Sequence, residues 1–247
     1  VDMTLDKNLI SDVCNSLFIP ADFGIDEDGD DLYGIFDAVA DDMRGVLPEN
    51  SYRLASGVTK LVIIPEYCDF VFKVSFTGCY YQQYDDNKLK DEDEDSYTFE
   101  QFCGSGGSDS ADYCLAEYEK YQDLKAAGVG MFFAETEFAG TTKDGSRIFI
   151  QEKVYPRSHG GSSKKVSQES KDHVKNMKNH RELSVFDYIY DTDWWALALE
   201  CYGENALHAL EEYIQKDDSP LQDMHNENFG WRLDGTPCII DFTDYNS

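Results

Sequence analysis

Two residues near the C-terminal end of this sequence, Asn228 and Asp241, carry oxygen atoms that suit a hard metal ion, and the residues between them are patterned to bring the two together. The runs Phe229 to Leu233 and Thr236 to Ile240 are rich in β-branched, aromatic and aliphatic residues and flank Asp234-Gly235, a strong short hairpin signal. With those two residues as the turn, counting outward sets Leu233 opposite Thr236, Arg232 opposite Pro237, Trp231 opposite Cys238, Gly230 opposite Ile239, Phe229 opposite Ile240 and Asn228 opposite Asp241. That last pair falls in a non-hydrogen-bonded position, with β-carbons roughly 4.5–5.5 Å apart. Pro237 falls in another, so its missing N–H removes no ladder bond. An amide oxygen and a carboxylate at that spacing suit Mg2+, which takes one or two protein ligands and fills its other positions with water and phosphate. A surface hairpin with acidic ends in an acidic protein is the competing reading.

A second chemically loaded residue is Lys73, a lone cation among Phe70, Val71, Phe72 and Val74. A lysine in such a run must find an anionic partner or lie on an outward face. If it points inward toward phosphate, its loss is expected to harm chemistry far more than folding.

Asp223 precedes Asn228 by five residues in the pattern Asp-x-His-x-x-Asn, and the hairpin closes on Ile239-Ile-Asp-Phe242. On these residues the chain resembles the protein kinase-like superfamily, whose catalytic loop has the same Asp-to-Asn spacing and whose magnesium ligand sits in Asp-Phe-Gly. With His225 inside the loop, it is more similar to aminoglycoside phosphotransferases and bacteriophage-encoded Ser/Thr protein kinases. The resemblance implies Asp223 as the base that orients the acceptor hydroxyl, Asn228 and Asp241 as magnesium ligands, and ATP as donor. It also implies that Lys73 pairs with the phosphates and that Ser56-Gly57 opens the loop covering them. That loop holds one glycine where protein kinases hold three, so its backbone N–H cradle is expected to be less complete. Gly104-Ser-Gly-Gly lacks the Gly-Lys-Ser/Thr ending of a P-loop.

The elements that must position these groups can be read from periodicity. Leu5, Leu9, Ile10, Val13 and Leu17 predict a first helix, with Asp2 or Thr4 as cap and Pro20 beyond its end; Leu32, Ile35, Phe36, Val39, Met43 and Val46 predict a second. Together they form an expected N-terminal helical extension, residues 1–49. The stretch 54–76 reads as two strands turning near Pro65-Glu66. Residues 77–111 read as an insertion, with the acidic run Asp91 to Asp95 and a Gly/Ser linker. A helix is predicted from about Ser110 to Ala127, stopped by Gly128. The resemblance requires a helix glutamate paired to the strand lysine: Glu117 first, Glu119 next.

Strands are predicted over Gly130 to Glu137 and Arg147 to Val154 around the turn-rich Ala139 to Ser146. The second is similar to the strand entering the kinase hinge. By that resemblance, backbone groups near Glu152 and Val154 would hydrogen-bond adenine, with Gln151 at the gatekeeper position. Ser158 to Lys165 reads as a polar linker, and the basic stretch Lys164 to Lys178 as a solvated loop or short helix. Helices are predicted over Asp193 to Tyr202 and Glu204 to Gln215, leading into the Asp223 loop. The sequence stops six residues after Asp241, with Thr243 where the glycine of Asp-Phe-Gly would stand.

Bulk properties narrow the classes. The formal charge is -28, from 49 acids against 21 bases. That balance opposes nucleic-acid binding and fits a basic protein partner or a mimic of nucleic-acid charge. No apolar run approaches the roughly 18 residues of a membrane span, and no signal-peptide pattern opens the sequence. Seven Cys without Cys-x-x-Cys point to reduced thiols in a cytoplasm, the host's if the protein is phage-encoded. The expected architecture is α+β: a two-lobed protein kinase-like fold with a small β-rich N-lobe (50–154) and a truncated, mainly helical C-lobe (155–247). The expected function is ATP- and Mg-dependent phosphotransfer, to Ser/Thr of protein. A catalytically inactive kinase-like binding protein and an acidic decoy that inhibits a basic partner are the alternatives.

Overall fold

The apolar runs between Tyr52 and Glu152 become five strands in a computed structural model that describes residues 6–18, 33–56, 60–75, 112–157, 160–216 and 226–242. They are β1 (Tyr52–Ser56), β2 (Lys60–Pro65), β3 (Phe70–Ser75), β4 (Thr136–Thr141) and β5 (Arg147–Glu152), in one sheet of order β1-β2-β3-β5-β4. The pairs β1–β2, β2–β3 and β4–β5 are antiparallel. The architecture is therefore α+β.

The chain divides into two units: residues 1–118, 136–151 and 245–247 form the first, and residues 119–135 and 152–244 the second. In the first, every residue of β3 is buried, as expected of a central strand covered on both faces. Phe70, Phe72 and Val74 join Leu61, Ile63, Ile148 and Ile150 in a core shared with Leu9, Val13 and Leu17 of helix α1 (Lys7–Ser16) and Ile35, Val39 and Met43 of helix α2 (Tyr33–Met43). Residues 1–49, expected as an extension, thus supply one side of this core. The cap of α1 is Asp6, whose carboxylate accepts from the N–H of Asn8 and Leu9 at 3.1 Å each. The expected caps Asp2 and Thr4 lie outside the described residues, as does the predicted insertion 77–111 apart from its end.

Strand alternation puts Lys73 and Ser75 on the face of β3 opposite Phe72 and Val74. That face meets helix α3 (Tyr113–Ala126). The division between the units passes through this helix, after Tyr118.

The second unit holds helices α4 (Gln168–His180), α5 (Thr192–Tyr202) and α6 (Glu204–Ile214), with a three-stranded sheet β6 (Val154–Pro156), β7 (Phe229–Arg232), β8 (Pro237–Ile239) in that order. Trp194, Trp195, Ala196, Leu197 and Ala198 of α5 are all buried, so this helix is apolar nearly all round. Trp194 meets Trp195 and Phe229 edge-on, with centroids at 4.8 and 5.0 Å. Asp191 caps α5 through the N–H of Asp193 and Trp194.

Two segments depart from the sequence expectations. Gly130–Phe132 is a 3-10 turn, and the strand begins only at Thr136, because Phe132 and Phe133 are drawn into the second unit's core. The basic stretch expected as loop or short helix is the 13-residue α4; only Val174 and Met177 are buried in it, too few to stand out among its charges. Among the described residues no helix is long and apolar enough to cross a membrane, and Cys14, Cys68, Cys114, Cys201 and Cys238 are free thiols.

Candidate functional site

In the first unit Lys73 points inward onto the α3 face of the sheet, 4% exposed, and Glu117 of α3 is fully buried beside it. The lysine Nζ donates to Glu117 Oε1 at 3.1 Å and Oε2 at 2.9 Å, so the pairing expected of a strand lysine and a helix glutamate is present. Glu119, the other candidate, is exposed. The start of α3 is pinned so as to hold this geometry. The Asp112 carboxylate accepts from the Leu115 N–H at 3.0 Å and from the Ser75 hydroxyl at 2.7 Å, and meets the Arg147 guanidinium at 3.1 Å. Ser75 Oγ in turn accepts from the Cys114 N–H at 2.9 Å. Helix start, β3 and β5 are thereby tied together about one and a half turns before Glu117.

Gln151 turns its amide into the same centre, where Nε2 donates to Glu117 Oε1 at 2.8 Å and to Thr136 Oγ1 at 3.0 Å; Thr136 and Gln151 are ladder partners. A second cation, Lys60, brings its Nζ to 3.6 Å from Glu117 Oε2. Lys60 and Thr136 were not singled out from sequence. The signal for Lys60 lay in its position, two residues before Val62, which faces Lys73 across the ladder. Burial pushes the neighbouring Cys114 thiol up to about 12, outweighing the pull of Lys60 and Lys73 in the other direction, so it is inert at neutral pH.

Ser56 ends β1 opposite Leu61. Gly57 and Asp223 lie outside the described residues, so the expected phosphate-covering loop and base have no described geometry.

In the second unit the hairpin forms, but one residue out of the expected register. Phe229 faces Ile239, Gly230 faces Cys238 and Trp231 faces Pro237. The Arg232 N–H donates to Thr236 O, and the Gly235 N–H to Arg232 O, both at 2.8 Å. The connection is thus the three residues Leu233-Asp234-Gly235, with Gly235 at φ +83 forming a glycine bulge opposite Arg232. Asp-Gly serves either turn; here Asp234 Oδ1 accepts from the Thr236 N–H at 2.9 Å and from its hydroxyl at 2.6 Å, which favours the bulge.

The slip corrects the pairing of Asn228 with Asp241. Ile240 is the residue opposite Asn228, with its N–H donating to Asn228 O at 2.7 Å. Asp241 departs from strand geometry at φ +47, and the Asn228 amide Nδ2 donates to its backbone carbonyl at 2.7 Å. The two residues are neighbours, yet not as a pair of ladder side chains, and the basis for a magnesium pair in hairpin geometry is removed. Among the described residues no group of three or more His, Cys, Asp or Glu could hold a metal ion. The donor types still fit magnesium, one carboxylate and one amide oxygen beside each other with phosphate to complete the shell.

Glu152 is likewise committed differently from expectation. Of the backbone groups expected to meet adenine, its N–H is bonded to Glu135 O at 2.8 Å, and Val154 pairs with Arg232 in the β6–β7 ladder. The Glu152 carboxylate accepts from Arg232 Nε with both oxygens at 2.9 Å. The same guanidinium donates to Tyr202 Oη at 2.7 Å, Pro237 O at 2.9 Å and Phe133 O at 2.9 Å. Burial works against the Arg232 charge, and the acidic groups around it, Cys238, Tyr202 and Glu152, more than reverse that and raise its pKa above the ordinary range. Sequence reasoning missed this hub, because its partners are mostly backbone carbonyls.

No protein-family model matches the chain, and no curated protein matches it.

Proposed function

We propose that this protein is an ATP- and Mg2+-dependent phosphotransferase of two-lobed protein kinase-like type, acting on Ser/Thr hydroxyls of basic protein segments in a cytoplasm. The observation that carries the reading is the Lys73–Glu117 pair. In protein kinases the phosphate-pairing lysine sits on the third strand and is held by a glutamate of the following helix. Here Lys73 is on the third strand of the sheet, and Glu117, on the next described helix, bonds it with both oxygens.

In this reading Lys73 orients the phosphates, Glu117 and Gln151 hold Lys73 in place, and Asp223 orients the acceptor hydroxyl. Asp241, with Asn228, would hold magnesium, which when bound bridges and neutralises the phosphate oxygens. Catalysis of this kind is mostly positioning and charge neutralisation. The -28 charge would draw basic acceptor segments by steering that weakens as salt rises.

A second reading, a kinase-like protein that binds nucleotide without transferring phosphate, is favoured by one feature, the Asn228 amide committed to the Asp241 carbonyl. Transfer of labelled phosphate to a mixed lysate and to the protein itself, wild type against Asp223→Asn, separates the two. The enzyme loses transfer by orders of magnitude in the variant while still binding Mg-ATP. Wild type that binds Mg-ATP and labels nothing supports the binding protein, and wild type that binds no nucleotide overturns both.

A further inference from the structure

Glu117 receives two lysines, and the reaction proposed above uses only one. Lys60 opens β2 and faces Ser75 across the β2–β3 ladder, while Val62 faces Lys73. Cross-strand partners share a face, so Lys60 lies on the α3 side of the sheet with Lys73, diagonal to it and within reach of the same groups. Both ammonium groups approach one oxygen, Glu117 Oε2, Lys73 at 2.9 Å and Lys60 at 3.6 Å. Their side chains are 5% and 13% exposed.

One carboxylate balances one ammonium. Driving two cations onto a single buried oxygen raises their mutual repulsion, whatever further contacts either makes, and gives the fold little that Lys73 alone would not. A multiply charged anion is a target that both cations can share. The looser grip on Lys60 leaves it the more readily transferred of the two.

We infer that Lys60 is a second phosphate-binding cation, and that Lys60 and Lys73 together form an anion site for a polyphosphate chain, with Glu117 holding both ammonium groups. The inference rests on the proposed phosphotransferase reading for the identity of the anion as a nucleoside triphosphate. Lys73, held through both Glu117 oxygens, fixes position; Lys60 adds charge and sets how strongly a triphosphate is preferred over a diphosphate.

The test is calorimetric titration of Mg-ATP, Mg-ADP, inorganic tripolyphosphate and adenosine into wild type, Lys60→Met and Lys60→Arg, with a thermal melt of each. Losing one charge-assisted contact is expected to weaken Mg-ATP and tripolyphosphate by about tenfold or more in Lys60→Met. Adenosine should be unaffected, the ATP-over-ADP preference should shrink, and the dependence of ATP affinity on ionic strength should flatten. Lys60→Arg should keep most of the binding, which also covers the case in which Lys60→Met does not fold. A purely structural lysine would change the melt and leave the salt dependence and the ATP/ADP ratio alone. Lys60→Met, or Lys60→Arg if the former does not fold, tells the failures apart. Unchanged triphosphate binding in a folded Lys60→Met overturns the Lys60 site and leaves the kinase reading standing. Lys60-dependent tripolyphosphate binding with no gain from the adenosine moiety keeps the anion site and removes the nucleotide. A wild type that binds neither overturns both, as does loss of all binding in folded Lys60→Arg together with an unchanged salt dependence.

Discussion

Each unit contains a buried charge with several partners, and the two are built differently. Arg232 in the second unit is locked by groups that cannot leave: two backbone carbonyls, a phenol and the Glu152 carboxylate, all fixed by β6, β7, β8 and the Phe133 turn. Glu117 in the first unit is held by the ends of long side chains, Lys73, Lys60 and Gln151, which can reorient without moving the backbone. The contrast separates charge used to join elements from charge kept adjustable for a ligand. Planar guanidinium bonded to carbonyls is a structural joint; ammonium on a flexible stem is suited to exchanging one anion for another.

The comparison can be broken most forcefully at Arg232. Arg232→Met strands Glu152 and three further acceptors in a buried setting, and is expected to cost about 3–5 kcal/mol in urea unfolding. A variant as stable as wild type would show that this hub joins nothing.

Close behind comes Lys73, where the sequence expectation of little effect on stability is revised, because its Glu117 partner is fully buried. Lys73→Ala leaves that carboxylate with Lys60 and Gln151 and should lose about 2–4 kcal/mol. The double variant Lys73→Met/Glu117→Gln removes both charges and should recover most of the stability while abolishing nucleotide binding. If the double variant is as unstable as the single, Glu117 is a joint like Arg232 and the contrast fails.

Gly230→Ala tests the frame around Arg232. A β-carbon there would lie 2.7 Å from Val154 Cγ1 and closer still to the Tyr155 carbonyl, so β6 and β7 must part. About 1–3 kcal/mol is expected, read as a lowered melting temperature with phosphate-probe affinity per folded molecule unchanged.

The smallest effect is at the hairpin tip. Burial opposes the Asp234 charge, but the Thr236 hydroxyl and N–H and then Lys164 outweigh it and bring its pKa from 3.8 to about 2. A depressed folded-state pKa contributes stability above the unfolded value and loses it as pH falls. Asp234→Ala should therefore be slightly less stable than wild type at neutral pH, with the gap closing between about pH 4 and pH 2. A gap that persists at pH 2 would mean the side chain acts through packing and not through its charge.

Much of this was legible in the chain itself. A lysine inside Phe70-Val-Phe-Lys-Val74 has to be answered by an acid, and a helix carrying Glu117 follows, so the centre of the first unit could be anticipated from the cost of burying a lone ammonium. The existence of the Asp234-Gly235 hairpin and the helices over Thr192–Tyr202 and Glu204–Ile214 followed from turn chemistry and periodicity. Register did not, since Asp-Gly accommodates a two-residue turn and a three-residue turn with a bulge, and a single slip moved Asp241 away from Asn228 in the ladder. Only tertiary structure decided that Lys60 joins Lys73 on Glu117, that Glu152 belongs to Arg232, and that residues 1–49 form core. These depend on contacts between residues far apart in sequence, whose energies are set by packing and by which strand lies beside which, and no local pattern encodes them.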